Sequence, residues 1–162
     1  MSLVLARIDD RLVHGQVVLV WGQSLSATRL LVADDAVAAN PWERELMGTT
    51  AEDMEVLVVA IADLPERLEL ERERRGATIL LLRSPAAALA AIEAGAAIEE
   101  INLGGLHFAP GKDKILDYLY LDEPDRRALT ALMEMGVRLF AQDVPASRPI
   151  DAHEFLPAGG DA

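Results

Sequence analysis

Between Arg7 and Val17 the chain reads "RIDDRLVHGQV", a stretch that places two carboxylates, two guanidinium groups and an imidazole side by side. His14 is the group in it able to do covalent chemistry. A neutral imidazole, with an ordinary pKa near ~6.5, is nucleophilic at neutral pH without an activating base. Arg11, three residues earlier, carries a fork of donors that matches phosphoryl oxygens. Asp9 and Asp10 can hold Arg11 in place or orient the imidazole through its other nitrogen. Gly15 lets a ligand approach the backbone with no side chain in the way. These parts compose a phosphohistidine site. The plainer readings are a solvated histidine, acids that cap a helix or bind Arg7, and a surface ion pair at Arg11 worth ~0–1 kcal/mol.

The flanking sequence decides which reading the residues favour. Short apolar runs recur along the chain: "LVLARI" (3–8), "LLVA" (30–33), "VLVVAI" (56–61), "TILLL" (78–82), "INLGG" (101–105), "YLYL" (118–121) and "VRLFA" (137–141). Near-continuous hydrophobicity of this kind marks strands covered on both faces, as in parallel sheets. Helical patterns fill most gaps. Val17, Trp21 and Leu25 recur every four residues as one apolar stripe, with Trp21 expected in the core. Asn40-Pro41, Ser84-Pro85 and Glu123-Pro124 read as helix starts, and Gly95 and Gly136 as helix ends. The expected fold is a single-domain α/β protein with an open, mainly parallel β-sheet of about six to seven strands and helices on both faces. In that fold Asp9 to His14 form the loop at the carboxyl end of the first strand. Open sheets bind ligands there, and the helix start near Gly15 adds free N–H groups that suit a phosphate.

Composition narrows the function further. At 162 residues with 51% hydrophobic content, the chain is expected to bury roughly 70% of its unfolded surface. It has no cysteine, which removes disulfides, thiolate nucleophiles and thiolate metal sites. A net charge of −12 disfavours nucleic acid as a partner. The apolar runs fall short of the ~20 residues that cross a bilayer, and Arg7 comes too early for a signal-peptide core. The mixed charge run "ERLELERERRG" (66–76), with Glu71 and Arg75 at i,i+4 spacing, reads as a solvated helix. Residues 1–150 are expected to form the domain and 151–162 a flexible tail.

A rival reading starts from the same acids. Receiver domains also place an acid pair after the first strand, beside a phosphorylated aspartate before a proline. Here Ile61 stands where that aspartate belongs relative to Pro65, Asp63 is too close, and Lys112 and Lys114 lie in a loop. The receiver-like phosphoprotein is the weaker fit.

"RIDDRLVHGQV" closely resembles the signature of the IIB subunits of the mannose/fructose/sorbose family of the sugar phosphotransferase system. "LLVADDAVAANPWERELM" (30–47), "INLGGLHFAPGKDKI" (101–115) and "GVRLFAQDVP" (136–145) are similar to later family segments in the expected order. The resemblance implies that His14 accepts phosphate from a phosphorylated IIA protein or domain and passes it to a sugar held by membrane IIC and IID subunits. It implies Arg11 as the residue that stabilises phosphoryl charge and Asp9 as the residue that positions Arg11 or the ring. Family precedent favours Nδ1 as the acceptor atom. Asp10, Gly15, Gln16, Asp34, Asn102, Gly104 and Gly105 are the further candidates for phosphate binding or docking. No cofactor or metal is implied; His107, the one residue that tempts a metal reading, lacks a spaced ligand set. The implied location is cytoplasmic, at the membrane transporter. A regulatory phosphohistidine protein without a transport role stays open as the alternative, as does a homo-oligomeric state.

Overall fold

The computed structural model describes residues 2–157. Six apolar runs become parallel strands: β1 (Leu3–Asp9), β2 (Ala27–Ala33), β3 (Glu55–Val59), β4 (Ala77–Leu82), β5 (Glu100–Gly105) and β8 (Arg138–Ala141). They pair in the order β3-β2-β4-β1-β5-β8, and a short antiparallel strand, β9 (Ile150–Asp151), closes the edge beside β8. The run at 118–121 does not join this sheet. It forms β7 (Leu119–Leu121), which pairs antiparallel with β6 (Asp113–Leu116) in a separate hairpin. Its apolar character comes from Leu119 and Leu121, both buried in the main core.

The strands are apolar on both sides because two cores flank them. On one face α4 (Leu64–Arg72), α5 (Pro85–Glu93) and α6 (Glu123–Glu134) bury Leu64, Leu68, Ala88, Ala91, Leu129 and Leu132. On the other face lie a π-helical segment Gln16–Trp21 running into α1 (Gly22–Ser24), then α2 (Asp35–Ala38) and α3 (Pro41–Thr50). Val17, Trp21 and Val37 pack there against Leu30, Val32, Ile79 and Leu81. Helix starts follow the expected chemistry, with Asn40 accepting from the backbone of Trp42 and Glu43, and Ser84 from Ala87. At α6 the cap is Asp122, one residue before the expected Glu123. Gly95 and Gly136 end helices with φ of +105° and +87°.

The connection leaving β1 crosses the second of these faces toward β2, whereas the chain leaving β5 returns through α6 on the first face toward β8. β1 and β5 are neighbours. Their carboxyl ends therefore diverge to opposite sides and open a crevice between them, the place where open α/β sheets take ligands.

Two expectations are corrected. Ala152 and Leu156 are buried against the first core, so residues 151–157 continue the fold where a flexible tail was expected from 151; residues 158–162 lie outside the described residues. Glu71 is not solvated but 1% exposed, and its carboxylate accepts from Arg29, Arg67, Arg74 and Thr78. Burial alone would push this carboxyl up, but those donors hold it down at about 2. Arg29 and Thr78 sit on strands facing α4, which explains why a helix so rich in charge packs at all. Among the described residues no helix is long and apolar enough to cross a membrane.

Candidate functional site

The strand pleat puts Ala6 and Ile8 of β1 into the first core, and so turns Arg7 and Asp9 toward the other face. Both are fully buried. Asp9, expected in the loop, is the last residue of β1 and the hub of the site. Its Oδ2 accepts from Arg7 Nη2 at 3.2 Å, Arg11 Nη2 at 3.1 Å and His14 Nε2 at 3.1 Å. Its Oδ1 accepts from the Arg11 backbone N–H and from Arg11 Nε, each at 3.1 Å. Burial would raise the Asp9 carboxyl, yet the hydrogen bonds from His14 and Arg11 hold it far below the ordinary carboxylate range. Asp9 is ionised.

The loop that returns His14 to this carboxylate makes a tight turn, with Leu12 N–H donating to Asp9 O at 3.0 Å. Leu12 takes φ +54°, a left-handed conformation that costs about 1–3 kcal/mol for a side-chain residue. Its side chain is fully buried in the second core, a gain of about 1.5–3 kcal/mol that offsets the strain. His14 then lies at the start of the π-helical segment with its side chain 15% exposed. A carboxylate only accepts, so Nε2 carries the ring proton and Nδ1 holds the lone pair. Nδ1 has no partner among the described residues, and it is not among the buried unpaired atoms, which are Arg7 Nε and Arg29 Nη2. The lone pair is open to solvent.

Arg11 is 40% exposed and spends three donors on Asp9 and Gln16 Oε1. Both hydrogens on its Nη1 have no described partner. The site therefore combines a free imidazole lone pair, an adjacent forked cation with donors to spare, and a buried anion fixing both. A Cβ built on Gly15 would meet nothing within 4 Å, so this glycine leaves the approach to the helix start open.

The remaining candidates hold this arrangement from behind. Asn102 accepts from Arg7 Nη1 and donates to Gln142 O at 3.1 Å, wholly inside the fold. Gly104 makes room for Arg7: a Cβ there would fall 2.1 Å from the guanidinium carbon. Gly105 stands against Arg11 and Asp9, where a Cβ would approach to 3.0–3.1 Å. The glycines thus accommodate the arginines, at positions expected to serve phosphate binding or docking. Asp34 caps α2 and binds Arg83 Nε at 2.8 Å; burial would raise its carboxyl, but the bond from Arg83 keeps it low. Asp10 parts from Asp9 and binds His107 across the crevice. Among the described residues no group of three His, Cys, Asp or Glu gathers as a metal site.

Arg7 is the residue that sequence reasoning passed over. Besides Asp9 and Asn102 it donates to the carbonyls of Gln142 and Asp143 at 3.0 and 3.2 Å, and it lies 5.1 Å over the Trp21 ring. The signal was available: a guanidinium at an inward position of a strand otherwise built from apolar residues demands a buried anion. Gly104→Ala tests this support. The methyl group would displace a buried charge, so we expect a loss on the order of 2–3 kcal/mol in urea unfolding.

Comparison with known proteins agrees with this geometry. Residues 3–160 match the family described as PTS system sorbose subfamily IIB component. The N-acetylgalactosamine-specific phosphotransferase enzyme IIB component 1 of Escherichia coli K12 is 32% identical over 165 residues, covering 96% of this chain and 97% of that protein. The mannose-specific EIIAB component of the same organism is 31% identical over 145 residues, covering 89% of this chain and 45% of that protein. The crystal structure of the IIBSor domain of the sorbose permease from Klebsiella pneumoniae superposes with a TM-score of 0.84 at 30% identity, over 95% of each chain. The chain belongs to the sorbose-subfamily IIB components of the sugar phosphotransferase system. It is a phosphotransfer subunit, a transferase on this α/β fold.

Proposed function

We propose that His14 is the phosphoryl carrier: its Nδ1 takes the group from a phosphohistidine of a IIA partner and delivers it to a sugar handled by membrane IIC and IID subunits. One observation carries this reading, the ionised Asp9 that holds the ring proton at Nε2 and so leaves the Nδ1 lone pair free beside Arg11. The EIIAB relative, whose name joins a IIA to a IIB component, supports a IIA unit as donor. Phosphohistidine to phosphohistidine transfer between similar nitrogens stays reversible, and an N–P bond retains the potential to phosphorylate a hydroxyl. Arg11 offers its Nη1 hydrogens to the phosphoryl oxygens as charge shifts during transfer. Asp9 and Gln16 fix the guanidinium while Arg7, Asn102, Gly104 and Gly105 fix Asp9. The subunit works on the cytoplasmic side, docked on the transporter.

Arg11→Lys tests the role of the fork. A lysine keeps the charge but cannot hold both Asp9 oxygens and still present two donors. Transfer from phospho-IIA is expected to slow by roughly ten- to a hundredfold with the KM for phospho-IIA nearly unchanged. Equal rates in parent and variant would remove Arg11 from the chemistry. Sugar phosphate formation with membranes carrying IIC and IID tests the function as a whole; its absence despite labelled His14 would favour the regulatory reading.

A further inference from the structure

We propose that His107 is a second catalytic residue of this site, the general base that takes the hydroxyl proton when His14 surrenders its phosphoryl group to a sugar. The inference rests on the reading of His14 as carrier and concerns the half-reaction that differs from the first. Transfer from one imidazole to another moves a phosphoryl group and no proton. Transfer to a sugar does both. As the P–N bond breaks, its electron pair returns to His14 Nδ1 and neutralises the ring, which keeps its Nε2 proton. As the O–P bond forms, the sugar oxygen must lose a proton, and a base has to receive it.

His107 has the disposition of such a base. Asp9 and Asp10 each hold one histidine, by opposite ring nitrogens. Asp9 takes the Nε2 side of His14, whereas Asp10 Oδ1 lies 2.6 Å from His107 Nδ1 and Asp10 Oδ2 accepts the His107 backbone N–H at 2.8 Å. The accepting carboxylate places the His107 proton on Nδ1, so the lone pair is on Nε2, which has no partner among the described residues. The side chain is 51% exposed. After protonation the imidazolium faces the Asp10 carboxylate, the same orienting role that an acid plays behind the base of a hydrolytic triad.

Position and support fit the role. His14 follows β1 and His107 follows β5, the neighbouring strands whose carboxyl ends border the crevice, and Asp10 N–H donates to Gly105 O at 2.8 Å between them. The mount is rigid. Leu106 exchanges backbone hydrogen bonds with the β6–β7 hairpin, donating to Tyr118 O at 3.0 Å and accepting from Tyr120 N–H at 2.8 Å. Phe108 packs edge-on against Tyr120 with centroids 5.9 Å apart. The contacts that hold His14 do not involve His107, whose ring is held by Asp10 alone among the described residues.

The experiment separates the two half-reactions in the full-length protein. His107→Gln retains a hydrogen bond to Asp10 but cannot take a proton. Radiolabelled phospho-IIA should charge His14 in this variant within about twofold of the parent rate, whereas discharge in the presence of IIC/IID membranes should slow on the order of a hundredfold or more. N-acetylgalactosamine, sorbose and mannose serve as acceptors. Added imidazole should restore part of the discharge in His107→Ala. Unchanged discharge, or equal loss in both steps, would overturn the assignment. Failure of the parent to carry label on His14 would instead overturn the reading of the carrier beneath it.

Discussion

His14→Ala should incorporate no acid-labile phosphate from phosphorylated IIA, while its unfolding in urea stays within about 1 kcal/mol of the parent. The two halves of this expectation follow from the same geometry. The ring gives Asp9 one hydrogen bond, but Arg7 and Arg11 still satisfy both carboxylate oxygens without it. No other histidine offers a lone pair beside Arg11: His107 is turned to Asp10, and His153 is tied to Asp151. Label that persists in the variant would place the phosphoryl group elsewhere. A large stability loss would instead show the ring to be part of the structural core.

Asp9→Asn should be damaging on both counts. Arg7 is fully buried, and removing its anion leaves a desolvated cation, a situation that costs about 3–5 kcal/mol. For a chain of this size that corresponds to a fall in Tm of roughly 6–20 °C. The amide also changes the chemistry of the ring. Its NH2 can donate to Nε2, which moves the ring proton to Nδ1 and removes the nucleophilic lone pair. A comparable acid-to-amide change behind a catalytic histidine costs about 10⁴ in rate through the wrong tautomer, so transfer should fall by about 10³–10⁴ at temperatures where the variant is folded. The pH dependence has a definite sign. Because the folded Asp9 carboxyl lies below its ordinary value near ~3.9, its contribution to stability is present above that pH and is lost as the pH falls toward the folded value. Parent and variant should therefore converge in stability under acid. A constant gap down to low pH would mean that Asp9 is not the anion that holds Arg7 and Arg11.

Much of this fold is written in its hydrophobic runs, because strands covered on both faces have no polar side to hide them. The same rule misplaced the run at 118–121, where apolar residues serve a hairpin packed on the core. It also missed Ile150–Asp151, a strand of two residues with no period to detect. The π-helical turns at Gln16–Trp21 leave no mark in the spacing of Val17 and Trp21, which suits an ordinary helix equally well. At the site, His14, Arg11 and Asp9 were legible because charged residues stood together between two apolar segments. The place of Arg7 in the supporting layer was not, since its partners are far apart in sequence: Arg7 meets Asn102 and the Gln142 and Asp143 carbonyls only after β1, β5 and β8 align. Gly104 and Gly105 stand out in the sequence as candidates for phosphate binding or docking, although what lies against them is the protein's own arginines.

On the proposed function, a buried, ionised aspartate makes one nitrogen of one imidazole the phosphoryl carrier. Incubation of the full-length protein with phosphorylated IIA, followed by residue mapping and phosphorus–nitrogen NMR of the product, measures this directly. The label should sit on Nδ1 of His14. A phosphoryl group on Nε2 of that ring, or on any other residue, would contradict it.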